Sequence, residues 1–233
     1  MKKIFACLLL QICIYAYSQT WVGVVHTDYY VNKKMAAPTR INCWGNSITM
    51  GFGLNAGERW ATKLATLLSL TEINNGHSGA ILQQTYKGTN TNLGVLYYNL
   101  NLIQNGNFND IVIIEYGVND VRDQIAGTYG SNLAQFSYDY DRILNEILKP
   151  GRYCNRRIFL CSIPYQQYNQ QYDVALTYSA VIQALAAKYR VFYYDVMFNF
   201  RGDYYLQDGV HPTSIGGTLW ANGLYNFILA NYK

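Results

Sequence analysis

The sequence predicts an α/β fold built on a parallel sheet with helices on both faces. Three observations predict it. Strand-like and helix-like segments alternate through most of the chain, which is the pattern of successive βαβ units with right-handed crossovers. Ile111-Val112-Ile113-Ile114 is a continuous apolar run leading into Glu115-Tyr116, as expected of a strand buried on both faces. No internal repeat or low-complexity linker divides the 233 residues, a length that suits one domain with a sizeable core.

Lys2 and Lys3 precede an apolar run over residues 4–15, and Ala16-Tyr17-Ser18 follows with small residues at the two positions a signal peptidase reads. Residues 1–18 therefore read as a signal peptide with cleavage expected after Ser18, which predicts a secreted or periplasmic protein. The run is shorter than the ~20 residues needed to cross a bilayer, and no later segment is long and apolar enough. Cys13 lacks the small residues that precede a lipidated cysteine. Residues 19–38 form an N-terminal extension, an extra strand or an extended arm, ahead of a domain at 39–233.

Residues 40–44 are the first clear buried strand. A glycine-rich loop at 51–57 leads to a helix at 59–70, with Trp60, Leu64, Leu67 and Leu68 on one face. A short strand at 72–74 ends in the turn Gly76-His77-Ser78-Gly79. Residues 93–104 read as helical. The strand at 111–116 is followed by a long loop reaching about Ser131. A helix at 136–148 is stopped by Lys149-Pro150-Gly151. Residues 157–162 form the fourth strand, and 164–172 a polar, tyrosine-rich loop. The helix at 174–189 carries a stripe of Leu176, Val181, Leu185 and Ala186. A fifth strand covers 191–195, and a last helix covers 214–230.

Composition excludes several functions. Half of the residues are hydrophobic and 14% are charged, which argues against disorder. Without residues 1–18 the chain has 16 basic and 14 acidic residues. That balance is no footprint for nucleic acid. Of the three remaining cysteines, Cys43 and Cys161 sit in apolar strand-like runs and read as buried free thiols. Their odd number leaves at least one thiol unpaired, Cys154 included in the count. No Cys or His spacing fits a zinc site. The 23 tyrosines read as packing residues or as flat amphipathic surfaces for sugars.

The chain is organised around Ile41-Asn42-Cys43-Trp44-Gly45-Asn46-Ser47-Ile48-Thr49, a short apolar strand that stops at Gly45 and hands over to Asn46-Ser47. Such a junction leaves a hydroxyl at the carboxyl end of a parallel sheet, where open α/β sheets place ligands. A serine there is more often a helix cap or turn former. Three further polar turns fall on the same rim. Ester hydrolysis by serine needs a nucleophile, a base, a group orienting the base, and donors for the oxyanion. Ser47, His211 and Asp208 fit the first three roles. Asp208 lies three residues before His211, close enough to accept from Nδ1 and leave Nε2 free. The backbone N–H groups of Ser47 and Gly79 and the side-chain amide of Asn119 are the candidate oxyanion donors. Individually, Gly79 also reads as a plain turn residue, Asn119 as a cap and Asp208 as a turn former. Glu115 and Asp120 read as local anchors, and His77 as a packing or surface residue.

Together these blocks resemble the SGNH/GDSL hydrolase family. Gly45-Asn46-Ser47-Ile48-Thr49 is similar to its nucleophile block and Asn75-Gly76-His77-Ser78-Gly79 to its glycine block. Gly117-Val118-Asn119-Asp120 is similar to its asparagine block and Asp208-Gly209-Val210-His211-Pro212 to its Asp-x-x-His block. All four occur in the family's order within residues 41–217. The resemblance implies a three-layer α/β/α flavodoxin-like sandwich on a five-stranded parallel sheet, and serine-ester hydrolysis without metal or organic cofactor. The family's usual Asp before the serine is Asn46 here, which can still fix the turn by hydrogen bonding. Family members include carbohydrate O-acetyl esterases, lysophospholipases, thioesterases and arylesterases. Export and an aromatic-rich rim favour a small acyl ester or an acetylated glycan as substrate, with Tyr165, Tyr168, Tyr172, Tyr204 and Tyr205 as candidate sugar-stacking residues. A lysophospholipase, thioesterase or broad arylesterase, an acyltransferase, and a silent glycan-binding module are the alternatives.

Overall fold

The computed structural model describes residues 37–83, 110–128, 130–149, 153–164, 169–196 and 204–231. The signal peptide expected at 1–18, most of the extension expected at 19–38 and the helix expected at 93–104 lie outside the described residues.

Five strands form one sheet: β1 (Arg40–Gly45), β2 (Thr71–Gly76), β3 (Ile111–Glu115), β4 (Ile158–Cys161) and β5 (Phe192–Tyr194). Every pairing is parallel, and the order is β2-β1-β3-β4-β5. This is the flavodoxin-like order, whose direction reverses between β1 and β3. The central strands are fully buried, as their apolar runs require. At the amino end of the sheet, Arg40 Nε and Nη2 donate to the two Asp110 carboxylate oxygens at 3.0 and 2.8 Å, and Asn42 Nδ2 adds a bond at 2.8 Å. That cluster ties the start of β1 to the start of β3. The carboxyl end is left for the site.

The helices are α1 (Ser47–Met50), α2 (Trp60–Leu68), α3 (Val118–Ile125), α4 (Leu133–Ile147), α5 (Asn169–Tyr189) and α6 (Ser214–Asn231). Right-handed crossovers that lead outward from the switch point in opposite directions put their helices on opposite faces. Accordingly α2 packs with α6, where Trp60 and Trp220 stack at 5.3 Å, and α5 packs with α3 and α4. The result is the three-layer α/β/α sandwich. Among the described residues, no helix is long and apolar enough to cross a membrane.

Three expectations are corrected. The stretch after β3 is not a loop, because α3 occupies most of it. Its sequence is too polar to show an apolar stripe, yet Asn119, Asp120 and Asp123 are buried. Helix α5 begins at Asn169, inside the expected polar loop. Leu67 and Leu176 are exposed and leave the predicted stripes. The buried face of α2 is Trp60, Ala61, Leu64 and Ala65, and that of α5 runs through Ala175, Tyr178, Ile182 and Ala186 to Tyr189. Tyrosines occupy stripe positions that sequence patterning assigns to aliphatic residues. Cys43, Cys154 and Cys161 are all buried free thiols.

Candidate active site

The site forms where β1 and β3 end, at the point where strand order reverses. Gly45 closes β1. A Cβ there would stand 2.1 Å from Thr49 Oγ1 and 2.7 Å from the Glu115 carbonyl oxygen, so only glycine lets the strand turn this tightly. Asn46 caps α1, with Oδ1 accepting from the Ile48 N–H at 2.8 Å. Its Nδ2 donates to Glu115 Oε1 at 3.1 Å, and Thr49 Oγ1 donates to Glu115 Oε2 at 2.8 Å. The Glu115 side chain thus grips the residues on either side of Ser47. Burial pushes its carboxyl up to about 8, against the pull of the Thr49 and Asn46 hydrogen bonds. Asn46 therefore fixes the turn through hydrogen bonds as expected, and it meets an acid that its amide can donate to.

Ser47 opens α1 and is 7% exposed. His211 Nε2 lies 2.8 Å from Ser47 Oγ, and His211 Nδ1 lies 2.7 Å from Asp208 Oδ2. An ionised carboxylate only accepts, so Nδ1 carries the proton and Nε2 is free to accept from the serine hydroxyl. Asp208 Oδ1 also accepts from the Val210 and His211 N–H groups, both at 2.9 Å. Burial acts to raise the Asp208 pKa, but these bonds from His211 and Val210 outweigh it and hold the carboxyl below its ordinary value. The turn is closed by the bridge between Tyr205 and Pro212 and by the Leu206 N–H donating to the His211 carbonyl at 2.7 Å.

The glycine block follows β2, which is tied to the nucleophile turn by the His77 N–H donating to the Gly45 carbonyl at 3.0 Å. Gly79 has φ 75°, and a Cβ there would meet nothing within 4 Å. Backbone conformation, not crowding, is what favours glycine at this position. Past β3, Asn119 Nδ2 donates to the Ala80 carbonyl at 2.9 Å, which leaves its second amide hydrogen available. Asp120 accepts from the Leu82 N–H at 3.1 Å and from the Gln83 N–H at 3.2 Å, binding the stretch after Gly79 to α3. Burial lifts the Asp120 carboxyl to about 6, in spite of those bonds. Glu115 and Asp120 thus act as anchors, as their positions suggested.

Ser47, Gly79, Asn119 and His211 share the wall of one cavity of about 220 Å³, with Ser78 beside them. Phe52, Val118, Arg122 and Val210 complete it. Asp208 stands behind His211. Of the expected sugar-stacking tyrosines, Tyr205 is buried, Tyr204 packs against the core, and Tyr172 is exposed on α5. None of these three is in the cavity wall. Tyr165 and Tyr168 lie outside the described residues. Sequence reasoning missed Phe52 and Arg122. Phe52 directly follows Gly51 after the nucleophile block, a visible signal. Arg122 joins the site because it is three residues past Asn119 on α3, and that helix itself was not foreseen.

A parallel five-stranded sheet with a serine, a histidine and an aspartate in contact at its switch point has the parts of a serine hydrolase. The chain belongs to the GDSL-like lipase/acylhydrolase family, which it matches over residues 43–219. Among solved structures it is similar to Est24, a carbohydrate acetylesterase from Sinorhizobium meliloti, at 16% identity and TM-score 0.68, covering 82% of this chain and 99% of that one. It is likewise similar to the native aryl esterase of M. smegmatis, at 19% identity and TM-score 0.68 with the same coverage of 82% and 99%. A lipase/acylhydrolase from Enterococcus faecalis matches at 18% identity and TM-score 0.62, covering 82% of this chain and 96% of that one. At these identities the likeness bears on the fold. No curated protein shows significant similarity in sequence.

Proposed function

We propose that the protein is a secreted serine esterase that removes short acyl groups, acetyl foremost, from carbohydrate hydroxyls through a covalent acyl-enzyme. The carrying observation is the Asp208–His211–Ser47 contact chain of 2.7 and 2.8 Å beside a cavity that also holds Gly79 and Asn119. Ser47 Oγ attacks the ester carbonyl and its proton passes to His211 Nε2, while the carbonyl electron pair moves onto oxygen. The Ser47 and Gly79 N–H groups and the Asn119 amide stabilise that oxyanion. As the intermediate collapses, the carbon–oxygen bond to the alcohol breaks and His211 returns the proton to the leaving oxygen. Water then enters, gives its proton to His211 and attacks the acyl-enzyme, which releases the acid and restores Ser47. Asp208 keeps the imidazole in the required tautomer and stabilises its charged form.

The small cavity suits a short acyl group. The carbohydrate acetylesterase and aryl esterase among the similar structures support a small ester, and the signal-like N-terminus supports extracellular polysaccharide as its source. Ser47→Ala and His211→Ala should each lower p-nitrophenyl acetate turnover by ~10⁴-fold or more. Asn119→Ala should cost about 10²–10³-fold in kcat with little change in KM. Acetate release from acetylated xylan, set against hydrolysis of octanoyl esters, tests the substrate class. Turnover at the wild-type rate by Ser47→Ala would end the mechanism, and a preference for octanoyl esters would end the glycan assignment. A mature N-terminus at Gln19, read by mass spectrometry of exported protein, checks the secretion route.

A further inference from the structure

His211 does not stand alone at the mouth of the cavity. The Phe52 ring lies against the imidazole with centroids 4.5 Å apart and planes tilted by 34°. Yet Phe52 is 47% exposed, where most large apolar side chains among the described residues are in the core. The backbone holds it there. The Phe52 N–H donates to the Ser47 carbonyl at 2.9 Å. Gly51 and Gly53 flank it with φ of 85° and 75°. A Cβ on Gly51 would come within 2.4 Å of Arg59 Cγ, and one on Gly53 within 2.8 Å of Leu206 Cδ1. The loop is therefore wedged between the approach to α2 and the turn that carries His211. It presents a fixed aromatic face to solvent at the cavity wall.

We propose that Phe52 is the binding platform for the alcohol half of the ester, and that this half is a ring with a flat C–H or π face, a pyranose or an arene. The proposal rests on the esterase reading. In that chemistry Nε2 must reach the leaving oxygen to return its proton, within about 3 Å. The carbonyl oxygen points to the donors at Gly79 and Asn119 instead. A group packed on the imidazole therefore borders the alcohol side, while Val118, Asn119 and Arg122 on α3 border the oxyanion side. Arenes stack offset on such a face, and the axial C–H faces of sugars complement its negative potential. A rigid ring on a hydrogen-bonded loop loses little entropy when the ligand docks.

The test compares phenyl acetate, an O-acetylated methyl pyranoside and ethyl acetate on the wild type, Phe52→Leu and Phe52→Trp, with Ser47→Ala as the blank. Leucine keeps apolar bulk beside His211 but removes the flat face, whereas tryptophan keeps the face. In Phe52→Leu the ratio of kcat/KM for ring over linear acetates should fall about tenfold, mainly through KM, and Phe52→Trp should restore it. A fall with only one ring class supports the platform and identifies the alcohol. If all three acetates lose rate by one factor, or none loses any, Phe52 is no platform. Absence of Ser47-dependent turnover of every acetate by the wild type is a different failure: it removes the esterase reading, and the platform goes with it.

Discussion

Ser47 and His211 meet at 2.8 Å, but the two halves of that contact are built in opposite ways. The serine sits on a junction that is buried and braced by groups far along the chain. Asn46 and Thr49 are bonded to Glu115, 69 and 66 residues away, and all three are inside the protein. The histidine sits on a turn braced by its own neighbours, chiefly Asp208, whose side chain is 40% exposed. The nucleophile is thus positioned by the sheet, and the base by a short loop. A substitution on the first side should disturb stability together with activity, whereas one on the second should separate them.

The largest expected effect is on the exposed side. Asp208→Asn can keep Oδ1 as acceptor for the Val210 and His211 N–H groups, but its amide would face Nδ1 and favour the wrong tautomer. The kcat should fall by ~10⁴-fold, with the thermal midpoint nearly unchanged. A large drop in that midpoint would show that the turn also supports the fold, and would break the contrast. On the buried side, Gly45→Ala drives a methyl into Thr49 and the Glu115 backbone. It should lower stability by about 1–3 kcal/mol, since the Glu115 carbonyl cannot give way without moving β3, and the Thr49 side chain cannot without disturbing its bond to Glu115; urea unfolding measures this. Glu115→Ala strips partners from two buried groups and should destabilise by about 2–4 kcal/mol.

A subtler test uses pH. In the unfolded chain the Glu115 carboxyl titrates near ~4.3, and burial in the folded protein pushes it up to about 8. Between those values the folded state holds the extra proton, so stability falls as pH rises, by up to ~1.4 kcal/mol per unit. Glu115→Gln should flatten the decline between pH 6 and 8. Asp120, lifted to about 6, accounts for part of the slope below that. An unchanged slope in Glu115→Gln would mean that the carboxyl ionises freely where it lies.

The smallest effect expected is that of Asn46→Asp, which sets two acids at the 3.1 Å contact. Like charges there should hold one proton in place, so activity should drop less than about tenfold near pH 6 and further as pH rises. Adding Glu115→Gln restores a donor opposite the new carboxylate, and should remove the pH-dependent part of the loss.

The central strands were legible in the chain alone, because a fully buried parallel strand must be apolar throughout, and residues 111–114 or 158–161 carry that requirement openly. The Asp208–His211 partnership was legible too, since a contact made across three residues is written in local spacing. Helix α3 stayed hidden because its buried face mixes Val118 and Val121 with Asn119, Asp120 and Asp123, and its Asp120 is satisfied by backbone groups 37 and 38 residues away. The same holds for the Asn46–Glu115 brace and for Phe52 against His211. That residues 47 and 211, 164 apart in the chain, share one hydrogen bond follows from the folded sheet and not from local spacing. Hydrophobicity along a chain shows which segments will be buried, but which polar atoms end up facing each other depends on strand order and crossover hand, and these exist only once the sheet has formed.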